Sequence, residues 1–323
     1  MDGHLYFARQ NNCPDQIPLA FEKALAEKAT GFFKKSSMPP PTRVDLPFFA
    51  YGLFKPGQLG FDSLREHVSD VDLGSSVDGA LFERDGVPLF SDQSGYPSTS
   101  VSGALITFTP GQESLAYQKI ANIEPEKQYK WEKRQTTGGI EANVLVAKSH
   151  KNGAHHVERS NWDGREDPLL KEALDLVEAI LVNADRKPKY TDNSVERTFE
   201  LQMAYMLLWT SIERYTSLRY HLRKNVMAKI MSMADEKGFQ DALQKYVTDE
   251  REVYSTDDDE SKKLSRRKPR KALQYYYQVR STAVHRGKTQ PYDAGILVKC
   301  IEELLQVFRK TLDRAFEDCA YKP

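Results

Sequence analysis

Residues Asp167–Leu181, which read DPLLKEALDLVEAIL, decide the fold class because the hydrophobic pattern of the chain changes there. Apolar residues in this stretch recur at intervals of three and four positions, the spacing of one face of an α-helix. Asp167 stands at the N-cap position and Pro168 at the first helical position, as is typical of helix starts. The stretch therefore predicts a helix that begins a helical half of the chain.

Four further helices are expected downstream, because apolar residues keep the helical spacing in four more segments. These segments are residues 199–215, 226–246, 271–285 and about 292–316. The apolar face of the second is marked by Phe199, Met203, Leu207, Ile212 and Tyr215. Gly287 follows the fourth segment as a stop signal. We therefore expect an all-α bundle of about five helices over residues 168–323.

Upstream of this half, residues 48–147 contain short apolar runs separated by Gly, Pro, Asp and Ser. Such runs are typical of the strands of a mixed or antiparallel sheet. The runs are FFAYGLF, GALF, VPLF, VSGALITF and EANVLVAK. The sequence therefore predicts an α+β protein, in which a small mixed β-sheet or barrel precedes the helical bundle.

The domain boundary is expected in the polar, glycine-punctuated segment that follows the last strand. We expect an N-terminal arm at residues 1–46, a first domain at 47–150, a linker at 151–167 and a helical domain at 168–323. The Ser- and Pro-rich segment 36–47 separates the arm, and Leu19, Phe21, Leu25 and Phe32 predict a short helix within it.

Composition excludes several classes of protein. The chain has 323 residues, and its 40% of hydrophobic residues excludes global disorder. Its 46 basic residues balance 46 acidic ones, so the net charge of the whole molecule does not attract nucleic acid or anionic lipid. The longest apolar run, Ala204–Trp209, is too short to span a membrane, and the acidic, polar N-terminus does not resemble a signal peptide. We expect a cytoplasmic protein with reduced, packed thiols at Cys13, Cys300 and Cys319, and with neither a metal nor a cofactor.

The first strand leads into a glycine turn, as the sequence FFAYGLFKPG over residues 48–57 shows. A glycine at such a position lets backbone N–H groups converge on an anion such as a carboxylate. The segment resembles the γ-glutamylcyclotransferase-like family, whose first strand ends in Tyr-Gly-Ser or Tyr-Gly-Thr and often continues Leu-Lys-Pro-Gly. The resemblance implies a site for a small γ-glutamyl-type ligand at Tyr51, Gly52, Leu53 and Phe54.

Later blocks extend this resemblance over about residues 47–148. GALF followed by GVPL, the glycine-initiated GALITF, and the helix and acidic turn of residues 117–131 are similar to blocks of that family. The family's general acid/base glutamate corresponds to Glu124 here, although Ala121 and Pro125 replace the Asp and Gly of its acidic turn. The chemistry implied is attack of the α-amine of a γ-glutamyl group on its own side-chain carbonyl, with one carboxyl moving both protons as 5-oxoproline forms. The alternative is that Glu124 is an ordinary exposed charge after a helix.

In the fourth predicted helix, Arg280 precedes His285 by five residues at the helix end. A histidine can move the protons of RNA cleavage near neutral pH, and a guanidinium can neutralise the phosphorane, without a metal. At ~100° per residue the two side chains differ by about 140° in direction, so a second chain is expected to complete the site. The sequence therefore predicts a homodimer through the helical half.

The segment from Tyr277 to Gly287 resembles HEPN domains, and in particular the Apea-like branch with its Tyr-x-x-Arg-Ser-x-x-x-His-x-Gly. Trp209 and Glu213 resemble the Trp-x-x-x-Glu segment of that branch, so the resemblance covers about residues 168–318. Many members of the superfamily are metal-independent ribonucleases that act as dimers, and others only bind or scaffold. By position, the resemblance implies that Arg280 and His285 are catalytic, supported by Glu213 and Ser281.

Two simpler interpretations stay open for this region. Arg280 could form an ion pair with a helix acid such as Glu213, while His285 caps the helix C-terminus. The basic residues before the fourth helix could track RNA phosphates or be a solvated loop beside the acidic DDDE block. The candidates for RNA binding are Arg266, Arg267, Lys268, Arg270 and Lys271, preceded by Lys262 and Lys263.

The leading hypothesis is a HEPN endoribonuclease with a fused cyclotransferase-like sensor domain, and family analogy places it in bacterial stress or phage defence. The first alternative is a γ-glutamyl-amine cyclotransferase whose helical half only dimerises it. The second alternative is a non-catalytic scaffold.

Overall fold

The computed structural model describes residues 38–91, 99–124, 126–149, 153–186, 194–221, 226–254, 261–285 and 293–321. Residues 1–37 lie outside this set, and with them the helix expected after Pro18 and Cys13. Cys300 and Cys319 are buried and carry free thiols, as the sequence predicts for both.

Two sheets make up most of the first half. The first has the strand order β2-β6-β1-β8-β7, from β1 (Phe48–Ala50), β2 (Val68–Asp72), β6 (Ala104–Phe108), β7 (Tyr129–Gln135) and β8 (Glu141–Ala147). The second joins β3 (Ser76–Arg84) to β4 (Val87–Ser91), β5 (Thr99–Ser102) and β9 (His155–His156). One helix, α1 (Glu113–Ile123), lies between β6 and β7.

The central strand of the first sheet is β1, which pairs parallel with β8 and antiparallel with β6. All three of its residues are buried. The sequence of β1 is continuously apolar because both faces of the strand are covered. Phe48 makes edge-to-face ring contacts with Phe54, Tyr117 and Trp131. The contact between Phe48 and Phe54 helps to hold the segment that follows β1 and contains Gly52.

The barrel expected as one option for this half is wrong, since the described strands form open sheets. The first sheet ends at β2 and β7, which have no further partner among the described strands. In β7, the charged residues Lys130, Glu132 and Arg134 share one face, opposite Tyr129 and Trp131. Charges of this kind keep an edge strand open, because closing it would desolvate them.

Among the described residues, six helices form most of the chain after residue 168, so the α+β class is confirmed. They are α2 (Glu172–Arg186), α3 (Ser194–Tyr220), α4 (Val226–Met233), α5 (Lys237–Tyr246), α6 (Pro269–His285) and α7 (Asp293–Asp318). The single helix expected over residues 226–246 is interrupted at Ala234–Glu236, where it divides into α4 and α5. A short hairpin of β10 (Glu252–Tyr254) and β11 (Ser261–Lys263) precedes α6.

The apolar face expected for α3 is partly wrong. Phe199 and Met203 are 51% and 62% exposed, whereas Leu201, Tyr205 and Leu208 are fully buried. The helix carries apolar residues on two opposite sides, so periodicity alone does not tell which side meets the core.

Polar contacts join the two halves. Arg214 on α3 donates from Nε to Asp167 Oδ2 over 2.7 Å, and Arg219 Nη1 donates to the carbonyl oxygen of Leu59 over 3.2 Å. The backbone N–H of Gly57 donates to the carbonyl oxygen of Cys319 over 2.8 Å. The C-terminal end of α3 and the end of the chain are therefore held against the first half.

Alkaline pH is expected to unfold the protein, because the folded protein buries many tyrosine hydroxyls. Burial raises the pKa of Tyr275 to about 12, and it raises the pKa of seven other tyrosines above their usual value. The seven are Tyr51, Tyr117, Tyr129, Tyr205, Tyr215, Tyr220 and Tyr276. The folded state keeps protons that the unfolded state releases, so its stability is retained below about pH 10 and lost as the pH rises further.

The urea midpoint of unfolding and the absorbance of phenolate are measured together over a series of increasing pH values. We expect the midpoint to fall above about pH 10, in step with the appearance of phenolate. Phenolate forming at the pH of free tyrosine, with the urea midpoint unchanged, would contradict this prediction.

Candidate functional site

A cavity in the first half brings Glu124 and the glycine turn together. Its lining includes Tyr51, Gly52, Leu53 and Phe54 from the end of β1, and Glu124 from the end of α1. Glu124 is the C-cap of α1, and its backbone N–H still donates to the Ile120 carbonyl oxygen over 2.9 Å. The helix end therefore sets the position of this half-buried carboxylate, and β1 sets the position of the turn.

Two tyrosines share the cavity with Glu124. The hydroxyl of Tyr51 donates to the carbonyl oxygen of Leu145 over 2.8 Å, and that of Tyr129 donates to the carbonyl oxygen of Pro88 over 3.2 Å. Burial, followed by the nearby Glu124 charge, raises the pKa of Tyr129. Burial also raises the pKa of Tyr51, to which the charge of Glu124 contributes. Both phenols therefore stay neutral beside the carboxylate.

The cavity is small, with a volume of about 30 Å³, which is room for water molecules rather than for a glutamyl group. Pro88 in β4 closes one side of it. A Cβ atom added at Gly52 would lie 2.4 Å from Pro88 Cγ, so no larger residue fits at position 52 without displacing β4. A bound ligand would need Pro88 to move away from the glycine turn.

In the helical half, Arg280 on α6 pairs with Glu213 on α3. Arg280 Nη2 lies 3.4 Å from Glu213 Oε1, and the side chain of Arg280 is 21% exposed. The guanidinium carbon also lies 5.4 Å from the centre of the Tyr277 ring, which in turn meets Trp209 edge to face. The ion pair considered from the sequence is therefore present, and Arg280 retains a solvent-accessible part.

The other residues of this candidate site are only partly described. Ser281 is half-buried and follows Arg280 on α6. His285 is the last residue of that helix, and its side chain lies outside the described residues, as does Gly287. How His285 and Arg280 are oriented toward each other therefore stays a prediction.

The candidate RNA-binding residues are all exposed around the N-terminal end of α6. Arg270 forms an ion pair of 2.5 Å with Asp235. Arg266, Arg267, Lys268 and Lys271 form no ion pair with another residue of the described ranges. The acidic block DDDE at residues 257–260 lies outside those ranges.

No family model, curated protein or solved structure matches this chain. In the part of the chain that the structure describes, no helix is long and apolar enough to cross a membrane. Within the same ranges, no three His, Cys, Asp or Glu side chains lie close enough together to hold a metal ion.

Sequence reasoning assigned no role in these sites to three residues that shape them. Pro88 covers Gly52, Tyr129 faces Glu124, and Tyr277 lies beneath Arg280. Only Tyr277 carried a signal, because it stands three residues before Arg280, on the same side of a helix. Pro88 and Tyr129 reach the cavity through strand pairing, which their local sequence does not encode.

Proposed function

We propose that the protein is a metal-independent endoribonuclease of the HEPN type, regulated by its cyclotransferase-like first half. The observation that carries the proposal is the position of Arg280, partly exposed on α6 between Tyr277 and Glu213, one helical turn and a half before His285. Arg280 would neutralise the phosphorane, and His285 would move the proton of the 2′-hydroxyl. Glu213 and Ser281 would hold the guanidinium and the phosphate in place.

The exposed basic residues at the start of α6 support an RNA substrate. Cations that are not paired with protein carboxylates are available to phosphate oxygens, and their release of counterions favours binding of a polyanion. They lie just before and within the first turn of the helix that carries Arg280, so a bound strand would run from the helix start toward the candidate site.

The test is cleavage of a labelled RNA by the purified protein in excess EDTA. We expect cleavage to continue and the products to carry a 2′,3′-cyclic phosphate, because the neighbouring 2′-hydroxyl attacks the phosphorus. Complete loss of cleavage in EDTA would argue against this function.

An exposed stripe on α3 supports the homodimer that the site requires. Its residues recur at intervals of four, four, three, four and three, so at ~100° per residue they lie within an arc of about 80°. The stripe consists of Val195, Phe199, Met203, Met206, Thr210 and Glu213. It lies opposite the core face of α3 and ends at the residue that pairs with Arg280. A second copy packed there would cover the apolar part and stand beside Arg280.

Placing charges in the stripe is expected to abolish this association. The double variant Phe199→Glu/Met203→Glu would bury two unpaired carboxylates in the dimer, and we expect its dissociation constant to rise by about 100-fold or more. Light scattering over a range of concentrations measures the change. The matched control is Leu115→Glu on α1, where an equally exposed leucine lies outside the stripe. A wild-type protein that is already monomeric, or a variant that still dimerises, would exclude the stripe as the interface.

The second candidate function is γ-glutamyl-amine cyclotransferase. It is favoured by the cavity in which Glu124 faces the turn at Tyr51–Phe54, beside two neutral phenols. In this function the helical half would serve only for dimerisation. The small volume of the cavity requires that substrate binding open it at Pro88.

The Glu124→Gln variant is expected to lower 5-oxoproline release from γ-glutamyl-amines by about 10²–10⁴-fold, since the amide cannot accept and return the proton. Chromatographic detection of 5-oxoproline measures the rate. Glu126→Gln, two residues away but not in the cavity lining, is the matched control. Release at the same rate in wild type and Glu124→Gln would exclude this chemistry, and a protein inactive in both assays would point to the scaffold.

A further inference from the structure

A second and much larger cavity lies beside the junction of the two halves. Its volume is about 390 Å³, within the roughly 300–1,000 Å³ typical of small-molecule sites. Its walls come from the end of β3, the turn at Gly86, β9, and residues 157–168. The cyclotransferase-like cavity around Glu124 shares none of these residues, so the two are separate sites.

The lining of this junction cavity is strongly acidic. Five carboxylates line it, against one arginine. They are Glu83, Glu158, Asp163, Glu166 and Asp167, and the arginine is Arg159. Such a lining favours a cationic ligand, because the low-dielectric walls concentrate the field of the carboxylates.

Three of the five carboxylates are already engaged within the protein. Glu166 pairs with Arg159, Asp167 accepts from Arg214 Nε over 2.7 Å, and Asp163 Oδ1 accepts from Gln58 Nε2 over 2.9 Å. Glu83 and Glu158 form no ion pair with another residue of the described ranges. Both carboxylates are therefore available to a ligand.

Two carboxylates without an ion-pair partner among the described residues suit a ligand that carries two cationic groups. His155 lies directly opposite Glu83 in the pairing of β3 with β9, so both side chains stand on one face of the sheet. Glu158 follows after β9, and no three acidic, His or Cys groups of the described residues are clustered closely enough for a metal ion. Trp162 contributes a buried apolar wall to the same cavity, with 4% of its surface exposed.

We propose that the junction cavity binds a linear aliphatic diamine or polyamine. Its ammonium groups lie at the carboxylates of Glu83 and Glu158, and its methylene chain lies along Trp162. These two carboxylates and one apolar wall match a ligand that has two ammonium groups and a methylene chain. Asp167, in the same wall, connects the cavity to Arg214 on α3, next to the Glu213 that pairs with Arg280. Binding of the diamine does not depend on RNA cleavage.

The experiment is calorimetric titration of the full chain with spermidine and with putrescine, together with the thermal midpoint in each. We expect saturable binding and a rise of the midpoint, since a ligand that binds only the folded state stabilises it. Two controls separate specific binding from charge screening: Mg²⁺ at equal ionic strength, and the neutral diol with the carbon chain of putrescine. Neither control is expected to reproduce the rise.

The double variant Glu83→Gln/Glu158→Gln is expected to weaken binding by at least about tenfold, the equivalent of roughly 1.4 kcal/mol. Glu172→Gln/Glu196→Gln changes the net charge equally at exposed positions outside the cavity and is expected to bind as wild type. Glu158→Lys, at an exposed position, places a like charge beside the ligand and is expected to abolish binding. Absence of binding in wild type, equal affinity in the first double variant, or an equal effect of Mg²⁺ would overturn the proposal.

Discussion

Replacing either Arg280 or His285 by alanine is expected to lower the rate of RNA cleavage by about 10²–10⁴-fold, with EDTA present throughout. His285→Ala removes the group that would move the proton, and Arg280→Ala removes the charge that would neutralise the phosphorane. Single-turnover cleavage of a labelled RNA at saturating protein measures the loss in the chemical step.

Controls separate this chemical loss from a structural one. The Arg280–Glu213 ion pair is partly exposed, so its removal is expected to cost less than about 1 kcal/mol of stability. Arg280→Lys keeps a positive charge and is expected to restore part of the rate, while Glu124→Gln in the other half is expected to cleave as wild type. Cleavage at the wild-type rate by His285→Ala would mean that another site, or a contaminating nuclease, cuts the RNA.

Glu236→Ala is expected to lower the free energy of unfolding by about 3–5 kcal/mol. Tyr215 Oη lies 2.7 Å from both carboxylate oxygens, and the hydroxyl of Tyr220 donates to one of them. Arg219 Nε lies 3.9 Å away, and its Nη2 lies 3.2 Å from Asp62 Oδ2 in the first half. Loss of the carboxylate leaves two largely buried phenols without their acceptor, which is costly because water does not replace it.

Urea unfolding at neutral pH measures this change. Glu236→Gln keeps one acceptor oxygen and is expected to lose less stability than Glu236→Ala. Asp313→Ala, which breaks an exposed pair with Lys310, is the matched control and is expected to cost about 0–1 kcal/mol. A Glu236→Ala protein as stable as this control would show that the cluster contributes little.

The same carboxylate has a pH dependence of defined sign. Burial is the largest influence on Glu236 and raises its pKa above that of an exposed glutamate. The folded state therefore holds this proton to a higher pH than the unfolded state, and the contribution of Glu236 to stability falls as the pH rises through that window. The Glu236→Gln variant removes this dependence.

Local periodicity was sufficient for most of the helical half. The helix expected over residues 271–285 is observed as Pro269–His285, and that expected over about 292–316 as Asp293–Asp318. Helices depend on contacts between residues three and four apart, so a single stretch of sequence contains the information. Periodicity did not predict the division of the third expected helix at Ala234–Glu236, where Glu236 accepts hydrogen bonds from Tyr215 and Tyr220 of α3.

Local periodicity did not predict the order of the strands or whether the sheets close into a barrel. Short apolar runs predicted strands, but the placement of β1 between β6 and β8 depends on pairing across more than fifty residues. The open form of the sheets depends on their edges. The local sequence of β7 contains several charged residues, and only the folded sheet shows that this strand is an edge.

The candidate site around Glu124 shows the same division. The sequence supplied Glu124 and the Tyr51–Phe54 turn through a resemblance, and their catalytic role stays a prediction. The structure supplies Pro88 and Tyr129, which limit the volume and set the polarity of the cavity. These residues come from strands whose register is set by the whole sheet.

By itself, the sequence determined the α+β class, the helical second half and the residue types on which the proposed chemistry depends. Its periodicities report which residues share one face of one element. Tertiary structure alone decided which face of α3 meets the core, which cations pair with carboxylates, and that the larger cavity forms at the junction of the halves. These features depend on contacts between residues distant in the chain, and such contacts are selected by the total packing and desolvation energy rather than by local spacing.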